Sequence, residues 1–130
     1  MTTTTIQTQT TFDLAAADVA LPLELELWSN RLARLLMSLG ARDGASVAMA
    51  LAVSVESVVA RAAITKIGAI VVQGDAAADA PIKIGVTTKA RRATLSNDVD
   101  WLLLDDLSTV RRYMTTSDAP VTINELAPAA

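Results

Sequence analysis

The chain of 130 residues contains no cysteine and no histidine. The first absence excludes disulfides and thiolate metal sites. The second excludes His-based triads, imidazole acid–base chemistry and the common zinc sites. Aromatic residues make up only 3% of the chain, too few for a base-stacking platform. Basic residues do not dominate: 11 Lys and Arg stand against 14 Asp and Glu, a formal charge of −3. A nucleic-acid binder would show a basic stripe, so nucleic acid is not an expected partner. Apolar runs are broken by charge well before about 18 residues, so no membrane span is expected. Met1 leads into Thr and Gln rather than a basic and then apolar region, so no signal peptide is read. The expectation is a soluble cytoplasmic protein.

What is present is a core. Apolar residues are 52% of the chain, and the mean hydropathy is +0.39. Disorder is therefore not the default, and the length suits one domain. Residues 1–13 form a Thr/Gln-rich arm in which Ile6, Thr8, Thr10 and Phe12 alternate with polar neighbours. The arm reads as either a frayed terminus or an edge or exchanged strand.

Leu25, Trp28, Leu32, Leu35, Leu36 and Leu39 recur at helical spacing, predicting a helix over Leu23–Leu39 with Gly40 as its left-handed stop. Ser46–Leu51 reads as a buried strand. Ser54 is an N-cap, with Glu56 in the first turn, for a helix whose apolar face is Val55, Val58, Val59, Ala62, Ala63 and Ile67. Gly68 closes it, and Ala69–Val72 is a second buried strand. Ser46–Leu51 and Ala69–Val72 are the expected central, parallel strands. Further strands are read at Ile82–Thr87 and Val99–Leu104, with a small edge strand at Val121–Ile123. Short helices are read at Thr88–Thr94 and Leu107–Met114, and residues 128–130 as a tail. Strand and helix alternate, which predicts a three-layer α/β fold, Rossmann-like or flavodoxin-like, with a mostly parallel sheet in one domain.

No GxGxxG or GxxxxGK[ST] phosphate loop is present; Gly40 and Gly44 lie between a helix and a strand, the wrong order for either. Asp105 and Asp106 end a strand, where ligands gather in open α/β sheets. They read either as caps for the following helix or as a Mg²⁺ pair. Gly74 and Asp75 end another strand. Lys89, Arg91 and Arg92 read as a solvated face or a phosphate grip. Ser29, Ser54 and Ser57 have no evident base partner, so no catalytic residue, metal site or cofactor is assigned. Trp28 and Trp101 read as packing anchors.

From Leu25 to Asp75 the sequence resembles the N-terminal part of adenylate-forming (AMP-binding) enzymes, which include acyl-CoA synthetases, luciferases and peptide-synthetase adenylation domains. Ser29, Asn30, Arg31, Leu32 and Ala33 match the family's frequent "SNRLA". Gly40 and Gly44 match its paired glycines before the first strand. Lys66, Gly68, Ala69, Val72 and Asp75 fit "LKAGAAYVPID". Further on, GVTTKARRATLSNDVDWLLLDD and SDAPVTINEL are similar to segments of actinobacterial peptide-synthetase domains. The resemblance covers about residues 20–127.

The departures are Pro22 in place of an aromatic, Gln73 in place of a proline, and a missing helix between Asp75 and Ile82. The sequence also ends at Ala130, before the family's phosphate-binding loop and its Lys. The resemblance therefore implies a truncated N-terminal subdomain over 14–127, with Ser29, Asn30, Arg31, Lys66, Gly68 and Asp75 as scaffold positions. The expected role is a catalytically incomplete structural or interaction unit, dimeric or docked on a larger synthetase. The alternative is one half of a split ligase completed by a partner chain.

Overall fold

In the computed structural model, residues 21–74 and 82–126 are described. The arm of residues 1–13, Asp75 and the tail 128–130 lie outside them.

Helix α1 runs over Leu23–Ser38 and is built from strong helix formers. Pro22 occupies its N-cap position without a side-chain cap, and Glu24 and Glu26 in the first turn complement the helix dipole. It stops as expected. Gly40 takes a φ of 107°, its N–H meets the Met37 carbonyl at 3.0 Å, and the next N–H, of Ala41, meets Leu36 at 3.0 Å. This paired closure is a Schellman motif. Strand β1 follows at Ser46–Met49.

Ser54 caps α2 (Val55–Lys66) through a reciprocal capping box: the Ser57 N–H donates to Ser54 Oγ, and the Ser54 N–H donates to Ser57 Oγ. A second Schellman closure at Gly68 turns the chain into β2 (Ile70–Gln73). The remaining elements are β3 (Ile84–Thr87), the one-turn α3 (Lys89–Arg92), β4 (Asp100–Leu103), α4 (Leu107–Thr115) and the short α5 (Ile123–Leu126).

The four strands form one sheet in the order β2-β1-β3-β4, with every pairing parallel. The α/β architecture with a parallel sheet is thus present. Parallel β1–β2 pairing, with Ser46 opposite Ile70, is present too. The core lies between the sheet and the α1–α2 pair, where Leu32, Leu36, Val47, Ile64, Ile67 and Val86 are almost completely buried.

Several expectations need correction. Among the described strands β2 is an edge, and the centre of the sheet is β1 and β3. The Ile70 side chain is accordingly 55% exposed, and Val71 and Val72 are only partly covered. The faces of both helices are rotated. On α1, Trp28 and Leu39 stay exposed, while Ser29, Asn30 and Ala33 are buried. On α2, Val55 is half exposed, and Ala60 and Ile64 join Val59 and Ala63 inside. The cause is that α1 packs on α2, α4 and the 113–125 segment, so its buried surface is not one stripe facing the sheet. Val121–Ile123 is not a strand: Thr122 caps the short helix that begins at Ile123. The expected Thr88–Thr94 helix contracts to a single turn.

Candidate functional site

Four of the six family-like positions are brought into one region. Asn30 is 2% exposed and sits at its centre. Its amide Nδ2 donates to the Asp118 carbonyl at 3.1 Å, and its Oδ1 accepts from Lys66 Nζ at 2.7 Å. Lys66 also pairs with Glu26. Ser29 is fully buried and returns its hydroxyl to the Glu26 carbonyl at 2.8 Å. Arg31 donates to the Met114 carbonyl at 2.9 Å, reaches Asp118 at 3.4 Å, and lies over the Tyr113 ring. Gly68 stands apart. A Cβ there would fall 2.0 Å from Asp43 Oδ1, and its φ of 76° already disfavours other residues. Asp75 lies outside the described residues.

Reading the sequence did not single out Arg34, Tyr113, Asp118 or Glu125, which complete this region. Arg34 donates through Nε to Ala119 and through Nη2 to Pro120, both at 2.8 Å, and forks onto Glu125. Two facing arginines thus tie α1 to the 113–125 segment. The fork, with two hydrogen bonds from Thr122, holds the Glu125 carboxyl down at about 2 and raises Arg34 above its ordinary value. The Thr122-x-x-Glu125 spacing of a capping box was the available signal. Burial pushes the Tyr113 hydroxyl up, partly opposed by Arg31, and that hydroxyl donates to the Trp28 carbonyl at 3.1 Å.

Beside this clasp, α1, α2 and α4 enclose an open apolar groove of about 260 Å³. Trp28, Leu32 and Leu35 form its α1 wall, and Val55 and Val59 form its α2 wall. Val110, Tyr113 and Met114 line the α4 side, and Leu104, just past β4, contributes as well. Its polar contributions are few: Glu56 and Thr109. The rim is wet. Trp28 is 38% exposed, Val55 50% and Met114 61%. Trp28 is thus half a packing anchor, whereas Trp101 fills that role, with its indole N–H donating to the Ser96 carbonyl at 2.8 Å.

The strand-end acids are engaged locally. Asp105 Oδ1 accepts the Lys89 backbone N–H at 2.9 Å, capping α3 rather than the following helix. Asp106 occupies the N-cap position of α4, accepts the Ser108 hydroxyl, which lowers its carboxyl, and lies 4.0 Å from Lys89 Nζ. Arg92 bonds Asn97 at 3.1 Å. Among the described residues, no three metal-capable side chains cluster.

No protein-family profile and no curated protein matches the chain. Solved structures do. The N-terminal domain of FACL13 from Mycobacterium tuberculosis aligns over 78% of this chain, with 21% identity and a TM-score of 0.60. MatB from Rhodopseudomonas palustris aligns over 78% with 25% identity and a TM-score of 0.60. The nonribosomal peptide synthetase FmoA3 aligns over 76% with 23% identity and a TM-score of 0.60. The chain spans 30%, 24% and 11% of those three chains respectively. The likeness shows the fold: that of the N-terminal part of acyl-CoA synthetases and peptide-synthetase adenylation domains.

Proposed function

We propose that this chain is a catalytically incomplete, adenylation-domain-like module that works as a structural and protein-interaction unit. The place of β2 at the edge of the sheet among the described strands carries this reading. A parallel sheet is ordinarily covered on both faces, yet Ile70 is 55% exposed and its strand neighbours are only half covered. An edge with unpaired backbone groups and exposed β-branched side chains is a template for another chain. The simplest closure is an isologous dimer that joins β2 to β2 across a two-fold axis. A larger synthetase is the other partner of the same chemistry. The reading requires no cofactor and accords with a cytoplasmic location. None of the described helices is long and apolar enough to cross a membrane.

Light scattering tests it. The full chain is expected at twice its 13.6 kDa mass, and Ile70→Lys, at the exposed position of β2, at the monomer mass. A monomeric parent that also ignores an adenylate-forming partner would sink the proposal.

A second reading is favoured by the share of each matched chain covered, 30% or less in the three structures above. In it, the chain is one part of an ATP-dependent acyl or aminoacyl ligase that a partner chain completes. Pyrophosphate exchange into ATP would then appear only on mixing the two chains, and its absence from the mixture would reject this reading.

A further inference from the structure

We infer that the groove between α1, α2 and α4 binds a small hydrophobic primary amine, with its ammonium at Glu56 and a hydroxyl on its apolar part at Thr109. The inference does not depend on the β2 edge or on the functional reading above.

Thr109 is the observation that points to a ligand. It lines the groove at 8% exposure, and its hydroxyl makes no hydrogen bond among the described residues. Buried hydroxyls are ordinarily paired, because a stranded one loses its bonds to water and gains nothing in return. A threonine in a helix usually finds a local carbonyl. Later on the same helix that rule holds: Thr115 donates to the Arg111 carbonyl at 3.2 Å, and Thr116 to that of Arg112 at 2.6 Å. Asp106, three residues before Thr109, takes the Ser108 hydroxyl instead. The Thr109 hydroxyl is thus left to donate to, or accept from, whatever occupies the groove.

Charge selects the class of occupant. Of the described side chains that line the groove, Glu56 alone carries a full charge at neutral pH. It is exposed and has no ion pair among the described residues. Its place in the first turn of α2 favours the ionised form. Arg31 and Arg34 are tied to the 113–125 segment, and Arg111 and Arg112 do not line the groove. An ammonium is therefore attracted and a carboxylate repelled. Size and shape narrow it further. The volume of about 260 Å³ lies just below that of pockets for drug-sized ligands, so one ring or a short chain fits. The Tyr113 ring is already fixed, by its hydroxyl on the Trp28 carbonyl and by the Arg31 guanidinium 5.7 Å from its centroid. With Trp28 it offers an aromatic wall that needs little ordering on binding.

NMR titration of the full chain tests the inference with three probes. Tyramine carries ring, ammonium and hydroxyl; phenethylamine lacks the hydroxyl; hydroxyphenylpropionate has a carboxylate in place of the ammonium. The chain has two Trp, so the two indole N–H resonances report on the groove (Trp28) and on a site outside its lining (Trp101). Tyramine is expected to shift Trp28 and not Trp101, with a Kd of about 0.1–1 mM, as befits a ligand of about ten non-hydrogen atoms. Phenethylamine should bind about threefold to tenfold more weakly for want of one hydrogen bond. Hydroxyphenylpropionate should give no saturable shift. Glu56→Gln, at an exposed position, should weaken tyramine about twofold to fivefold. Thr109→Val should abolish the preference for tyramine over phenethylamine. It should also leave the urea midpoint equal or higher, because it removes an unpaired buried hydroxyl. Trp28 unmoved by either amine up to about 10 mM overturns the inference. So does an equal response to the carboxylate probe. A Thr109→Val chain that keeps the tyramine preference, or that unfolds at lower urea than the parent, overturns it as well.

Discussion

Trp101 on β4 packs against its register partner Gly85 on β3, so closely that a Cβ at Gly85 would lie 2.3 Å from Trp101 Cζ3 and 2.6 Å from Cε3. The bare glycine is the space that the indole fills. Gly85→Ala is therefore expected to destabilise the fold by about 1–3 kcal/mol, the usual cost of forcing extra volume into a packed site. In a Trp101→Leu background the same substitution should cost much less, because the two positions share one space. Urea unfolding of the four proteins measures the coupling, and additive effects would show that the close approach does not persist in solution.

On α1, burial decides which leucines matter. Leu36 is completely buried, so Leu36→Ala is expected to cost about 2–5 kcal/mol. Leu35, at 3% exposure, belongs to the same class. Leu39 shares their spacing in the sequence but is 37% exposed beside the Gly40 turn, so Leu39→Ala should stay below about 1 kcal/mol. Thermal or chemical melts that ranked Leu39 with Leu36 would contradict the observed helix rotation.

That rotation shows what was legible in the sequence and what was not. Local signals carried well: the glycine stops at Gly40 and Gly68, the Ser54 cap, and the apolar runs at Val47 and Val86 all depend on neighbours within a few residues. The orientation of α1 did not carry, because buried Asn30 is bonded to Lys66 on α2 and to Asp118, both far away in sequence. Periodicity counts apolar residues and misses a polar side chain buried by hydrogen bonds. The edge position of β2 was likewise unreadable, since IVVQ is as apolar as an interior strand. Val121–Ile123 was misread because β-branched residues outweighed the Thr122–Glu125 capping pattern. Of the candidate site, Asn30, Arg31 and Lys66 were visible as family-like positions, but their shared attachment to Asp118 and Glu26 needed the fold.

Asn30 makes its two long-range hydrogen bonds from a position with 2% exposure. Asn30→Leu keeps roughly the volume and removes both bonds, leaving the Asp118 carbonyl and one Lys66 donor without that partner. The expected loss is about 1–3 kcal/mol, the cost of stranding buried polar groups. Backbone amide exchange around Asp118 should accelerate in parallel. A variant as stable as the parent would mean that the two arginines and the Tyr113–Trp28 hydrogen bond suffice to hold the 113–125 segment.

The Arg34–Glu125 fork makes the attachment of that segment pH-dependent. Arg34 Nη1 and Nη2 meet the two carboxylate oxygens at 2.6 and 3.1 Å, and Thr122 adds its N–H and hydroxyl, each at 3.0 Å. These donors favour the charged form and lower the carboxyl from 4.5 to about 2. Since the folded value lies below the unfolded one, the fork's contribution is complete above about pH 4.5 and is lost as pH falls through about 2. Glu125→Gln removes the charge at every pH, so its segment should show no such acid-dependent release. The side-chain carboxyl carbon of Glu125, followed by NMR, is expected to titrate with a midpoint near 2. The Arg34 Nη–H resonances should move with the same midpoint, because protonation removes the carboxylate charge on which both hydrogen bonds of the fork are made. A Glu125 midpoint at its ordinary value of 4.5, with Arg34 unmoved, would show that the fork does not form in solution. The α1 clasp would then rest on Asn30, Arg31, the Tyr113–Trp28 hydrogen bond and the Arg34 bonds to the Ala119 and Pro120 carbonyls.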